Sequence, residues 1–211
     1  MFTGIIQACG SIKSIEKKGE SGRIVVTTEL DLKKVELGDS IAVDGVCLTV
    51  VDVESGVFTA EMSGETLGLT TLGSLTLGSK VNIEQPLTPT ARMGGHIVTG
   101  HVDGVGTISK REVKGGFAEF EVSVPSELSR QIVKKGSIAV DGISLTVVSE
   151  WEGGFSTALI PHTINATTLA AKRSGSRVNI ETDIIAKYVE RFTSSYHGRG
   201  VTEELLRKHG F

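Results

Sequence analysis

Two short runs of small hydrogen-bonding side chains stand at matching places in the chain. Ser40, Cys47 and Thr49 form one set, and Ser137, Ser144 and Thr146 form the other. Hydroxyls and a thiol can orient a ligand, or act as nucleophiles where a base stands near. Their small size also lets a flat ligand approach the backbone. Around these sets the ionisable groups differ. Cys47 matches Ser144, Glu65 matches His162, Ile5 matches His101 and Pro86 matches Asp183. Such a pattern suits two ligands of one kind, held alike but treated differently. Each residue also has a plainer reading. A lone cysteine behaves as a small buried hydrophobe, and a lone histidine as a hydrogen-bonded side chain. The small face could equally be a polar surface or a subunit contact.

The elements that must carry these residues come from a duplication. Ser40-Ile-Ala-Val-Asp-Gly-Val-Cys-Leu-Thr-Val-Val51 returns as Ser137-Ile-Ala-Val-Asp-Gly-Ile-Ser-Leu-Thr-Val-Val148, with ten of twelve positions identical at an offset of 97. Gly78–Glu84 returns as Gly175–Glu181 and Thr70–Leu72 as Thr167–Leu169 at the same offset. Thr3-Gly4 matches Thr99-Gly100 at an offset of 96. A unit of this length exceeds the roughly 20–50 residues of a solenoid repeat and marks a duplicated domain. Asp44-Gly45 and Asp141-Gly142 each sit between β-rich runs and read as two-residue hairpin turns. Side chains alternate along a strand. Ile41, Val43, Val46, Leu48 and Val50 then share a core face, opposite Ser40, Ala42, Cys47 and Thr49. Ile138, Val140, Ile143, Leu145 and Val147 repeat that face, opposite Ser137, Ala139, Ser144 and Thr146.

Further strands are expected at Ile24–Thr28, Phe117–Val124, Val81–Ile83 and Val178–Ile180, and helical turns at Leu32–Leu37 and Ser126–Val133. Short strands with regular turns point to small antiparallel barrels or sandwiches. Gln85–Gly95 reads as the linker. After Asp183, Ile184, Ile185, Tyr188, Val189 and Phe192 follow helical spacing. Their stripe either docks on the chain's own barrel or meets other subunits. A further short helix is expected over Thr202–His209.

Composition excludes several classes. A net charge of −3 and 5% aromatics over 211 residues suit no nucleic-acid platform. No apolar run approaches the roughly 18 residues of a membrane span. The first residues lack the basic segment of a signal peptide, so the chain is expected in the cytoplasm with Cys9 and Cys47 as free thiols. His96 and His101 lack the spacing and acidic partner of a zinc motif. P-loop, dinucleotide and nucleophile-elbow signatures are absent.

Six motifs stand in order: Met1-Phe-Thr-Gly-Ile-Ile6, Gly45-Val-Cys-Leu-Thr49, Gly64-Glu-Thr-Leu67, Gly94-Gly-His-Ile-Val-Thr-Gly-His101, Asp141-Gly-Ile-Ser-Leu-Thr146 and Ile160-Pro-His-Thr163. Together, from Met1 to about Phe192, they resemble the riboflavin synthase family of the α-chain type. The resemblance implies an all-β fold of two similar six-stranded antiparallel Greek-key barrels, at 1–88 and 97–183. A C-terminal helical segment, 184–211, would join three copies. It further implies a transferase that moves a four-carbon unit between two molecules of 6,7-dimethyl-8-ribityllumazine, with no metal or organic cofactor. Each active site would lie between the first barrel of one subunit and the second barrel of a neighbour. Association with a lumazine synthase shell, the donor barrel and the group that attacks C7 stay open.

By resemblance, the first pocket is lined by Gly4, Ile5, Ile6, Ser40, Cys47, Leu48, Thr49, Glu61, Met62, Ser63, Gly64, Glu65 and Thr66. The second is lined by Gly100, His101, Val102, Lys135, Ser144, Leu145, Thr146, Leu159, Ile160, Pro161, His162 and Thr163. Catalytic candidates are Phe2, Ser40, Cys47, His101, Lys135, Ser144, Thr146 and Asp183, with Phe2 expected to position the N-terminal segment against a ring. One rival is a non-catalytic lumazine or flavin antenna protein, which loses site residues in one half. Another is a flavin reductase module, whose Arg-x-Tyr-Ser/Thr signature is absent.

Overall fold

The two Asp-Gly pairs close the hairpins around which each half is built. Asp44 and Gly45 have φ of 45° and 78°, and Asp141 and Gly142 have 45° and 77°. Two positive values in a row make the turn whose twist matches its flanking strands. The computed structural model describes residues 1–194 together with 207 and 208. The helix expected over Thr202–His209 lies outside these, apart from helical Arg207 and Lys208.

The first half contains β1 (Ala8–Lys18), β2 (Ser21–Thr28), β3 (Ser40–Val43), β4 (Val46–Glu54), β5 (Val57–Ser63) and β6 (Lys80–Glu84). The second contains β7 (Gly104–Lys114), β8 (Phe117–Ser123), β9 (Ser137–Val140), β10 (Ile143–Trp151), β11 (Gly154–Leu159) and β12 (Arg177–Thr182). Each set closes into an antiparallel barrel, in the order β1-β2-β5-β4-β3-β6 and its repeat β7-β8-β11-β10-β9-β12. Register follows the expected alternation: Ser40 pairs with Thr49, Ile41 with Leu48, Ala42 with Cys47 and Val43 with Val46. Ile41, Val43, Val46, Leu48 and Val50 fill the first barrel, and Ile138, Val140, Ile143, Leu145 and Val147 fill the second. Each such side chain contributes about 1.5–3 kcal/mol on burial.

Short helices pack on the barrel cores through Leu67, Leu128 and Ile164. They are α1 (Gly64–Leu69), α2 (Ser126–Ser129) and α3 (Pro161–Ala166). The Ser63 hydroxyl caps α1 by accepting from Thr66 N–H. Two expected helical turns come out differently. Leu32–Leu37 forms isolated turns and no helix, because Asp31 and Asp39 carboxylates take the Lys33 and Glu36 N–H groups from outside any helical ladder. Of Ser126–Val133, only the first turn is helical. Among the described residues, no helix is long and apolar enough to cross a membrane.

A final helix, α4 (Ile184–Ser194), follows the second barrel. It is tied there by polar contacts: Lys187 Nζ to Asp103 at 2.6 Å, and Gln131 Nε2 to Glu190 at 2.6 Å. Its apolar stripe does not dock on its own barrel. Ile185, Tyr188, Val189 and Phe192 are 55–65% exposed.

The barrels meet hairpin to hairpin. A Cβ on Gly45 would lie 2.6 Å from Gly142 N, so the two turns touch backbone to backbone. Asn82 Nδ2 donates to the Asp141 carbonyl, and Asn179 Nδ2 donates to the Asp44 carbonyl. Each asparagine Oδ1 accepts a backbone N–H from the other half, Thr168 for Asn82 and Thr71 for Asn179. Phe2, Ala42, Val98 and Ala139 form a separate apolar cluster, with Cys47 packed against it. Much of the small hairpin face is thus a contact between the two halves of one chain.

Two buried carboxyls face this junction. Asp141 is paired with Lys172 at 2.9 Å, whereas the matching place in the first half holds Leu75. Burial, then the neighbouring Asp141, push the Asp44 carboxyl well above its ordinary value; the Asn82 N–H and Lys172 only partly oppose this. Ionising Asp44 in the fold therefore costs free energy. Its contribution to stability is full below the ordinary carboxylate value and is lost as pH rises through the raised one. Asp44→Asn keeps the Asn82 acceptor, tolerates the left-handed φ and removes the charge. The variant is expected to be more stable than the wild type at neutral pH. Thermal melts as a function of pH should show that gain fading towards about pH 4.

Candidate functional site

Each half sends a Thr-Gly segment across to the other. Thr3 donates its N–H and its hydroxyl to Glu84 Oε1, both at 2.6 Å, and Gly4 N–H donates to Oε2 at 3.0 Å. Thr99 and Gly100 make the same three bonds to Glu181, at 2.6, 2.7 and 3.0 Å. Burial raises both carboxyls, and the threonine and glycine bonds pull them back. Beyond these clamps the chain reaches the opposite hairpin. Cys47 N–H donates to the Gly100 carbonyl at 2.9 Å, and Ser144 N–H to the Gly4 carbonyl at 2.8 Å. A Cβ on Gly100 would sit 2.5 Å from Cys47 Cβ, and one on Gly4 2.6 Å from Ser144 Cβ. Only glycine allows this approach, and both hold positive φ.

The crossing exchanges the expected rims of the two pockets. Gly100, His101 and Val102 complete the first barrel's site, and Gly4, Ile5 and Ile6 go to the second. A cavity of about 250 Å³ is lined by Val46, Cys47, Glu65, Thr66, His101 and Val102 among others. Val102 packs on the first core and Ile6 on the second. His101 therefore stands with Cys47 and Glu65, not with Ser144.

Around the second hairpin, His96 Nδ1 lies 2.7 Å from Ser144 Oγ. His162 is exposed at the start of α3, with Thr163 half-buried beside it. Asp183 caps α4, accepting from Ile185 N–H at 3.0 Å. It lines a groove with Val133, Gly136, Ser137 and Ile185. Thr146 is exposed opposite Ser137 on the same outer face.

Several expected lining residues point elsewhere. Leu48 and Met62 are buried in the first core, and Leu145 and Leu159 in the second. Strand alternation turns them inward between outward neighbours, leaving only their backbone near a ligand. Phe2 has no exposed surface and packs on Val98, Ala42 and Ala139 rather than against a ligand ring. Its N–H donates to the Val98 carbonyl at 2.7 Å, so its part is to fix the crossing segment. Ser40, Thr49 and Glu61 form an outer row across β3, β4 and β5, ending in an exposed Arg23–Glu61 ion pair. Ser63, Gly64, Ile160 and Pro161 lie at the strand-to-helix corners.

Glu84, Glu181, Asn82, Asn179 and His96 do not emerge from sequence reasoning. For the first four a signal existed: Val-Asn-Ile-Glu, identical in both halves, places polar groups on a strand that the fold buries. His96 left none, because it stands outside the repeated segments.

Comparison with known proteins decides the family. The lumazine-binding domain model matches twice, at residues 3–86 and 99–183. The riboflavin synthase of Actinobacillus pleuropneumoniae is 46% identical over 192 residues, covering 91% of this chain and 89% of that protein. That of Bacillus subtilis is 42% identical over 215 residues and covers both chains fully. The chain belongs to the riboflavin synthase family. Its fold also resembles LumP complexed with 6,7-dimethyl-8-(1'-D-ribityl) lumazine, with a TM-score of 0.78 at 28% identity, over 86% of this chain and 99% of that one. LumP complexed with riboflavin gives 0.79 at 29%, with the same coverage.

Within this family member, Lys135 breaks the repeat. It holds φ of 66° where the first half has Gly38 at 92°. Both N–H groups donate to matching carbonyls, Val147 and Val50. The left-handed region costs a lysine about 1 kcal/mol, and the exposed side chain has no packing that repays it. Strain of this kind points to function. Lys135→Gly is expected to raise stability by about 1 kcal/mol in thermal denaturation and to slow flavin formation roughly tenfold or more. Unchanged flavin formation would remove the side chain from the chemistry.

Proposed function

We propose that the chain dismutates 6,7-dimethyl-8-ribityllumazine, transferring a four-carbon unit from one molecule to a second. The products are riboflavin and 5-amino-6-ribitylamino-uracil. One observation carries this reading beyond family membership. The two matching hairpins carry different ionisable groups beside them, each including a residue from the crossing segments: Glu65 and His101 share a cavity with Cys47, and His96 is bonded to Ser144. A reaction between two identical molecules needs like binding and unlike chemistry. Held face to face, the pair reacts without a bimolecular encounter, an advantage of about 7–11 kcal/mol at best. The C7 methyl of a lumazine gives an anion delocalised into its ring, so modest proton acceptors suffice.

Ser40, Thr49, Ser137 and Thr146 serve as hydrogen-bonding groups along the two outer faces, and Lys135 and Asp183 stand at the mouth of the second. The exposed stripe of α4 joins three copies, bringing the first site of one against the second site of another. The protein acts in the cytoplasm.

The direct test incubates purified, chelator-treated protein with the lumazine and follows flavin by absorbance and chromatography. One riboflavin per two lumazines consumed is expected, with nothing else added. Tight binding without product would make the chain an antenna-type binder instead.

The assembly has its own test. Tyr188→Glu places a charge in the apolar stripe, where its ring stacks on Phe192 with centroids 6.5 Å apart. Light scattering should show a shift from three chains towards one. Turnover should fall while circular dichroism keeps the barrel signature. An unchanged mass would exclude α4 as the contact.

A further inference from the structure

Cys47 and Ser144 occupy matching places, but only Ser144 has an imidazole behind it. His96 Nδ1 lies 2.7 Å from Ser144 Oγ. Among the described residues, Cys47 Sγ has no hydrogen-bonded imidazole; His101 lines the same cavity without a bond to it. The ring is firmly placed. His96 N–H donates to the Thr3 carbonyl at 3.1 Å. At the preceding Gly95, a Cβ would lie 2.1 Å from that carbonyl oxygen and 2.9 Å from Ser144 Oγ. Only 8% of His96 is exposed, and its Nε2 is buried with no hydrogen-bond partner among the described residues.

This surrounding selects a charge state. Burial of a ring only 8% exposed opposes the charged form, and the neutral ring whose Nδ1 accepts from Ser144 Oγ–H carries its proton on Nε2. Burial accordingly pulls His96 below the ordinary histidine value, with Asp183 drawing it part of the way back. The ring is a neutral base at neutral pH, bonded to one hydroxyl, and Asp183 is the charged group whose field reaches it.

We propose that His96 is the positioning residue for Ser144, making the second barrel the half of the site that accepts a proton. The inference rests on the dismutation reading above. A serine hydroxyl otherwise rotates freely. A fixed acceptor on one side directs its proton to Nδ1 and turns the oxygen lone pairs to the pocket. When Oγ takes a proton from the C7 methyl of a bound lumazine, the Oγ–H proton moves to Nδ1. The step leaves a delocalised carbanion and an imidazolium facing Asp183. Among the described residues no acceptor is bonded to Cys47 Sγ, although His101 and Glu65 share its cavity, so the two lumazines part roles by barrel.

The experiment compares wild-type protein, His96→Ala, His96→Asn, Ser144→Ala and the His96→Ala/Ser144→Ala pair, each checked for fold and assembly. Flavin formation is followed across pH, and lumazine binding by fluorescence titration. His96→Ala is expected to slow turnover about 10- to 100-fold, while binding changes less than about threefold. His96→Asn can hold the hydroxyl but cannot take its proton, so it should recover only a small part of the rate. It should also lose the fall in rate that the wild type shows as pH drops through the lowered histidine value. The double variant should be no slower than Ser144→Ala. Full activity in His96→Ala, an acid limb retained in His96→Asn, or losses that multiply in the double variant would each overturn the proposal. Wild-type protein that binds lumazine but makes no flavin would instead overturn the dismutation reading. If His96→Ala does not fold, the His96→Asn profile decides.

Discussion

The architecture depends on two buried carboxylates, each of which receives three donors from a Thr-Gly segment. A glutamate removed from water is costly unless its oxygens are bonded. Glu84 and Glu181 meet that demand with charge-assisted bonds, which are short and strong. The same bonds commit Thr3-Gly4 and Thr99-Gly100 to one path, since any shift would strand a buried charge. That path leads each segment over the other half's hairpin. Each hairpin therefore carries a segment of the other half beside it: Gly100–Val102 along the first and Gly4 along the second. The small residues of the hairpin face are explained at the same point. They admit a neighbouring backbone, held by Cys47 and Ser144 N–H groups, and leave room for a ligand only where that backbone ends.

Duplication normally yields two equal sites, and here the backbone remains equal while the side chains diverge. The turns, the clamps and the asparagine bridges are the same in both halves. The differences are Cys47 for Ser144, Glu65 for His162, His101 for Ile5, Gly38 for Lys135 and Leu75 for Lys172. Most fall where the scaffold's hydrogen bonds do not depend on the side chain. Lys135 keeps the bond that Gly38 makes, and Ser144 keeps the N–H contact that Cys47 makes. Chemistry could vary because the backbone carries the structure.

Much of this was legible in the sequence. The hairpins, their register and the inward sets followed from Asp-Gly turns and period-two alternation, because short-range turn geometry fixes both. The two crossing segments were not legible. Nothing local to Thr3-Gly4 distinguishes folding back on its own barrel from reaching the other; its partners are a carboxylate of its own barrel some 80 residues away and the Ser144 N–H of the other half. The motifs group Gly4–Ile6 with the first hairpin and Gly100–Val102 with the second, and the fold carries each segment to the other hairpin. Leu48, Met62, Leu145 and Leu159 lie within contiguous motifs, and strand alternation turns their side chains inward. His96 fits no zinc spacing and carries no other local signal. Its partner lies 48 positions away, a distance that no motif spacing reports.

The packing between the halves also bears on how two substrates could meet. Between Cys47 and Ser144 within one chain stand Phe2, Ala42, Val98 and Ala139, all less than 5% exposed, and two glycine turns in backbone contact. A lumazine seated at Cys47 thus faces a filled interior on the side of Ser144, with no room for two stacked rings. Substrates held on the outer faces can approach one another only from outside the chain. That geometry favours a site shared between copies. It also gives the exposed stripe of α4 a reason to be apolar: the helix starts at Asp183, beside the second site, so a contact made through it brings another copy's barrel near that site. On the proposed dismutation, association and catalysis would then be one requirement, because the junction within one chain is too well packed to admit two substrates.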